Sequence, residues 1–271
     1  MPSGQAFPAG GEWVYGDGDK IMITDSPWYW NRVDLFDEVD GGAREMFFRN
    51  TTRHTFRKGQ HVFRSDDDAN QVFYLFEGMV RIYHLSTGGD PTIFWYCVRG
   101  ELFGAGGITG SMNQAVNGQA ISPSTVYALS RRAFEQMLKL HPQLSINALK
   151  LMGARLRLAC DSTTDMRLHK TENRVARALL RLAHNCGVPI KDGIRLDAPI
   201  THQEVANMVG ACRQTVTEVL HDFESHDYIA QRGRQIVILD PEALDVRAER
   251  ESRAQEPRGA VSGRTARANH G

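Results

Sequence analysis

Residues 201–220 read Thr-His-Gln-Glu-Val-Ala-Asn-Met-Val-Gly-Ala-Cys-Arg-Gln-Thr-Val-Thr-Glu-Val-Leu. Two short helices about one glycine account for that stretch. Thr201 and Glu204 stand at capping-box spacing, which starts a helix by satisfying backbone N–H groups that have no partner within it. Val205, Ala206 and Val209 give this helix an apolar face, and Gly210 suits the left-handed turn that ends it. A second helix follows at once, opened by Cys212, with Val216, Val219, Leu220 and Phe223 inward. Its other face carries Arg213, Gln214 and Thr217 near the N-terminal end, where a recognition helix presents side chains to base edges. Arg can pair bidentately with guanine and Gln with adenine. Residues 228–238 then read as strand, glycine turn, strand: a wing with Arg232 and Arg234 at its tip, suited to phosphates. A plain helical hairpin with a β-ribbon is the bland alternative. The ordered run of cap, turn glycine, exposed Arg-Gln and basic tip weighs against it.

Upstream, Glu172–Cys186 is helical, with Val175, Leu179, Leu182 and Ala183 on one face and Gly187 as its stop. Before that, Pro142 suits the first turn of a long helix. Leu149, Met152, Leu156, Ala159, Thr163 and Met166 recur along it at spacings of 3, 4, 3, 4, 3, a heptad seam. A second stripe, Leu144, Leu151 and Leu158, lies elsewhere on the same helix. Two stripes imply two partners: the chain's own domain and a symmetry mate. A single buried helix is the alternative. Ser130 can cap a preceding helix through Phe134, Met137 and Leu138.

Further upstream, short strand-like runs are separated by turn signals: 54–56, 61–63, 72–76, 79–84, 92–98, 115–121 and 125–129. Such spacing predicts a β-barrel or roll. Residues 1 to about 27 are rich in Gly, Pro and Asp, and Trp28, Tyr29 and Trp30 open the first cluster able to anchor to a core. The expected organisation is α+β: a flexible arm over 1–30, a β-roll sensor over 31–135, a dimerisation helix over 136–169, a winged helix-turn-helix over 170–241 and a disordered tail over 242–271.

The chain has 271 residues, 41% of them apolar, enough for two modest cores. No apolar run is long enough for a transmembrane helix, and the start lacks the pattern of a signal peptide, so a cytoplasmic protein with no membrane partner is expected. Cys97, Cys160, Cys186 and Cys212 show no CxxC spacing, and reduced thiols are the default there. Net formal charge is zero. That argues against binding nucleic acid by bulk charge, and leaves room for a few well-placed arginines. No nucleophile elbow, P-loop or metal constellation points to an enzyme.

The stretch Ile200–Leu239 resembles the DNA-binding domain of the CRP/FNR superfamily. "HPQLSINALKLMGARLRLA" resembles that family's dimer helix and "ENRVARALLRLA" the first helix of its DNA domain. Phe73–Arg81 and Gly100–Gly104 are similar to its cyclic-nucleotide-binding-type roll. The resemblance covers roughly residues 31–241. It implies a transcription regulator, a homodimer on a palindromic operator of double-stranded DNA in contact with RNA polymerase. It places Thr201, His202, Gln203, Arg213, Gln214, Thr217, Glu218, Arg232 and Arg234 at the DNA. Glu218 replaces a basic residue common in the family. It could accept from a cytosine amino group, orient Arg213 or be solvated.

The resemblance puts an effector pocket at Leu102, Phe103, Gly104, Gln114, Ala115, Arg155 and Ala159. Three departures stand out against members that bind cyclic AMP. Ala105 replaces the ribose-binding Glu, Gln114-Ala115 falls at the phosphate-clamping Arg and its hydroxyl neighbour, and Ala159-Cys160 replace small hydroxyl residues that contact the base. A neutral amide cannot supply the charged fork a phosphate needs, so cyclic AMP is not expected as the effector. An iron–sulfur cluster is not expected either, since no Cys precedes Cys97, and nothing supports haem at His54, His61 or His84. Phe94, Trp95, Tyr96, Leu102 and Phe103 could line an apolar pocket or belong to the core. Cys212 at a helix start is a redox candidate or a small filler. The reading is a dimeric regulator under an effector or redox signal other than cyclic AMP, the alternative being a constitutive or architectural DNA-binding protein with a purely structural roll.

Overall fold

The computed structural model describes residues 12–14, 20–22, 33–105, 112–233 and 235–249, with two four-stranded antiparallel sheets ahead of a long helix. A ribbon of β1 (Glu12–Val14) and β2 (Lys20–Met22) precedes α1 (Gly41–Arg49), where the arm was expected to be loose. Trp28, Tyr29 and Trp30 lie outside the described residues. The strands of the roll are β3 (Thr52–Phe56), β4 (His61–Phe63), β5 (Gln71–Glu77), β6 (Val80–Leu85), β7 (Pro91–Cys97), β8 (Leu102–Phe103), β9 (Asn117–Ala120) and β10 (Ser124–Ser130). They order as β3-β10-β5-β8 and β4-β9-β6-β7.

Side-chain alternation divides the strands among three cores. On β5, Phe73 and Leu75 join Phe63, Val80, Ile82, Cys97 and Phe103 in the filling shared by both sheets. Val72 and Tyr74 face the other way, toward Phe47 of α1, Phe134 and Met137 of α2 (Arg131–Leu140) and Leu144 and Leu151 of α3 (Pro142–Leu168). Asn147 of α3 is fully buried and donates to the Leu35 and Asp37 carbonyls at 2.9 and 2.7 Å, which ties the long helix to the entry of the roll. Between β6 and β7 the register slips: Ile82 pairs with Trp95 but Tyr83 with Ile93. Phe94 is the extra residue of a bulge and stands out, 47% exposed.

The C-terminal unit is built on α4 (Thr171–Cys186), α5 (His202–Val209), α6 (Arg213–Ser225) and a sheet ordered β11-β12-β14-β13 from β11 (Gly187–Ile190), β12 (Gly193–Leu196), β13 (Ile229–Arg232) and β14 (Gln235–Ile238). Gly187 adopts ordinary extended backbone and begins β11. Its glycine is needed for close approach, because a Cβ there would sit 2.3 Å from the Ala183 carbonyl oxygen and 2.6 Å from Ile194 Cγ2.

The expected tail from 242 is corrected in its first part. Asp240 caps α7 (Pro241–Glu249), accepting from the Ala243 N–H at 2.9 Å, and Leu244 and Ala248, one turn apart, are buried with α4. Two apolar residues among charged neighbours are too weak a period to read, yet they suffice once α4 offers a surface. Residues 250–271 lie outside the described residues.

The outer face of the β6–β7 sheet is covered by the C-terminal unit itself. Met79, Tyr83, Ile93, Tyr96, Val98 and Ile121 share one apolar cluster with Leu179, Val205, Val216 and Phe223, and α5 lies against β7. Arg81 reaches Glu204 of α5 at 3.6 Å across that contact. At the junction of α3 and α4, the buried Asp165 carboxylate is held by Arg177 at 3.2 Å and Arg181 at 3.5 Å.

Candidate nucleic-acid interface

The capping box forms as the residue types require. Thr201 Oγ1 accepts from the Glu204 N–H at 3.2 Å and Glu204 returns a carboxylate to the Thr201 N–H at 2.9 Å. Gly210 ends α5 at φ 62°, ψ 47°, the left-handed region where a side chain is strained. Val216, Leu220 and Phe223 of α6 are buried, so the opposite face turns outward. Arg213, Gln214, Thr217 and Glu218 are all exposed there, together with Thr201 and Gln203 of the neighbouring helix start. His202, the first residue of α5, is half-buried.

These side chains are ordered by one another. Gln214 donates to Glu218 at 3.3 Å, so it is Gln214 that Glu218 holds. Gln203 donates to Asn207 at 2.9 Å. His202 spans two elements: Nδ1 lies 3.0 Å from the Thr217 hydroxyl on α6 and Nε2 lies 2.8 Å from Gln231 Oε1 on β13. Glu224 completes the link, accepting from the Gln231 N–H at 2.9 Å and side-chain amide at 3.4 Å. Gln231 and Glu224 escape sequence reading because their partners lie on other elements. Arg232 pairs with Asp192 at 3.1 Å, both about half exposed; such a surface pair is weak and yields readily to a phosphate. Arg234 lies outside the described residues.

Cys212 is the N-cap of α6, exposed, with its Sγ 3.0 Å from Thr215 Oγ1. That hydrogen bond, with backbone N–H groups of Thr215 and Gln214 behind it, holds the thiol below its usual range.

On the sensor side the sequence-predicted pocket residues are spread among the cores, with Gln114 meeting Gly104 and Arg155 meeting Leu102. Leu102 and Phe103 alternate on β8, the first into the helix-side core and the second into the filling between the sheets. Gln114 is buried and donates to the Gly104 carbonyl at 3.3 Å. Ala115 and Ala159 are exposed. Arg155 reaches from α3 to donate to the Leu102 carbonyl, lies 3.5 Å from Glu101 and covers the Trp95 ring at 5.3 Å. Its charge is thus engaged with the Glu101–Leu102 turn. The aromatic residues considered for a ligand pocket are divided in the same way: Phe94 exposed on its bulge, Trp95 against the filling and Tyr96 in the cluster beneath α5. Cys97 is fully buried, and burial pushes its thiol up to about 12.

The long helix splits as its two stripes require. Leu144 and Leu151 are buried and Leu158 packs on the apolar cluster shared by the roll and the C-terminal unit, while Leu149 and Leu156 are 71% and 68% exposed, with Met152, Ala159 and Thr163 also outward. Met166 is outward as well, 47% exposed, and its methyl would lie 3.7 Å from a Cβ on Gly210 of its own chain.

Comparison with known proteins places these parts. Residues 173–247 match the Crp-like helix-turn-helix domain and residues 53–141 the cyclic nucleotide-binding domain. The CRP-like cAMP-activated global transcriptional regulator of Mycobacterium tuberculosis is 25% identical over 217 residues, covering 80% of this chain and 97% of that protein. The global nitrogen regulator of Synechocystis is 28% identical over 193 residues, covering 70% of this chain and 85% of that one. The structure of FixK2 from Bradyrhizobium japonicum matches with a TM-score of 0.64 at 21% identity, over 72% of this chain and 96% of that one, a likeness of fold.

Proposed function

The chain belongs to the CRP/FNR superfamily of transcription regulators, and from that membership we propose that it acts as a cytoplasmic homodimer on a palindromic operator, in contact with RNA polymerase, under an effector or redox signal other than cyclic AMP. The observation that carries the DNA reading is the exposed row Arg213, Gln214, Thr217 and Glu218 on the N-terminal half of α6, beside a wing that offers Arg232. Base edges are read by such a row and phosphates by such a wing tip. The dimer reading rests on Leu149, Met152 and Leu156, large apolar groups in the open on one face of α3. The test is selection from a random duplex pool by the full-length protein. Enrichment of an inverted repeat is expected; a pool that enriches no sequence overturns the reading.

The Mycobacterium tuberculosis relative is named as cAMP-activated, so the effector has to be argued from the residues of this chain. Gln114 spends its amide on Gly104, and Arg155 is engaged at the Leu102 turn. Neither offers the charged fork that a cyclic phosphate requires. Titration calorimetry with cyclic AMP is expected to give no saturable heat at micromolar concentrations; an isotherm of one site per subunit would refute this.

Cys212 is proposed as the redox element. An exposed thiol with a lowered proton affinity is the form that peroxide oxidises, and a sulfinate there would turn negative charge toward a polyanion. Mild peroxide is expected to lower operator affinity of the native protein and to spare Cys212→Ala. Equal losses in the two would place the switch elsewhere, with the exposed Cys160 beside the seam as the next thiol to replace.

A further inference from the structure

The hydrogen-bond chain Glu224–Gln231–His202–Thr217 decides which part of Thr217 is left for DNA. Gln231 Nε2 donates to Glu224, which leaves Oε1 facing His202. An amide oxygen only accepts, so the hydrogen of the neutral imidazole sits on Nε2 and Nδ1 carries the lone pair. The Thr217 hydroxyl then lies 3.0 Å from that lone pair and 2.9 Å from the Arg213 carbonyl, another acceptor. It has one hydrogen, and both neighbours compete for it. None remains for a thymine O4 or a purine N7. Its oxygen can then only accept, from an adenine or cytosine amino group, so toward a thymine the exposed Thr217, on the face that carries Arg213 and Gln214, offers its methyl.

Resting on the DNA reading above, we propose that Thr217 reads DNA through its methyl group, by apolar contact with a thymine methyl, and that Glu224, Gln231 and His202 are positioning residues that engage its hydroxyl hydrogen and so orient the methyl. The apolar pairing of a threonine methyl with a thymine C5-methyl is a known element of major-groove readout. Glu224 serves twice, since by binding the Gln231 N–H it also covers the outer edge of β13, the end strand of its sheet.

Uracil scanning tests this. Duplexes enriched by the full-length protein are remade with single thymines replaced by uracil on either strand, which removes one methyl and nothing else. At one thymine per half-site the native protein is expected to lose about fourfold in affinity, the worth of one buried methyl group. Thr217→Val keeps the methyl and loses the hydroxyl, and should keep that penalty whatever its overall affinity. Thr217→Ser does the reverse and should abolish the penalty. Gln231→Leu should shrink it with the thermal midpoint unchanged, whereas a merely structural role would move the midpoint and leave the penalty. An enriched site at which every uracil penalty is the same in the native protein and Thr217→Ser overturns the assignment. So does Thr217→Val losing the penalty. A pool that enriches no sequence at all overturns the regulator reading itself, so the two failures are told apart.

Discussion

Leu156→Asp is expected to sediment as a monomer and to lose operator binding almost completely. Leu156 is 68% exposed in the single chain and belongs to none of the three apolar cores, so the substitution leaves the fold of each protomer intact. In a parallel dimer the same position faces its own copy across the seam. The variant would bury one carboxylate against another, without a partner. A buried, unpaired charge costs several kcal/mol, and the seam carries two. Each separated protomer could then hold only one half-site, with half the phosphate contacts, and the dimer's affinity collapses. Leu151, five residues earlier and 3% exposed, marks the contrast, because a charge there would strike the core under the β-roll. Sedimentation that shows a dimer of Leu156→Asp at working concentration would assign the exposed stripe to some other purpose.

The second large effect is at Arg213. Its side chain is exposed at the start of α6, while its carbonyl accepts the Thr217 hydroxyl at 2.9 Å whatever side chain the residue bears. Arg213→Ala therefore removes the guanidinium and leaves the helix in place. A bidentate arginine–guanine contact is worth about 1–3 kcal/mol of discrimination, roughly tenfold to a hundredfold. That loss is expected on the enriched site, with a much smaller one on random duplex and little change in the dependence on salt, which counts phosphate contacts. Equal losses on both DNAs, with a shallower salt slope, would show that Arg213 touches only the backbone.

The helix-turn-helix was legible because its signals are local. Thr201, Glu204 and Gly210 each act on backbone within four residues, and all adopt the conformations their chemistry prescribes. The strands of the roll were legible as short runs between turn signals, except β8, whose two residues are too few to make a run. β11 was hidden because Gly187-Val-Pro-Ile reads as a turn until β12 pairs with it. What sequence reading could not reach was the long-range part. His202 and Gln231 are 29 positions apart, and Arg81 and Glu204 lie farther still, with no sequence pattern linking the partners. On the sensor side, the bonds that engage Arg155 and Gln114 at residues 101–104 depend on a fold already assembled.

The apolar cluster beneath α5 bears on modularity. Regulators of this plan invite the picture of interchangeable parts, any sensor joined to any DNA-reading end. Here Met79, Tyr83, Ile93, Tyr96, Val98 and Ile121 of the roll are buried in one cluster with the helices of the C-terminal unit, and Arg81 meets the very glutamate that caps α5. A chimera cut at the junction of α3 and α4 would bring a foreign surface to that face, leaving the six side chains wet or mismatched and Glu204 without its distant arginine. Exchange between relatives is thus constrained to sensor and reader that have changed together along this face, and a horizontal swap that respects only the linker would join two folded halves that do not fit.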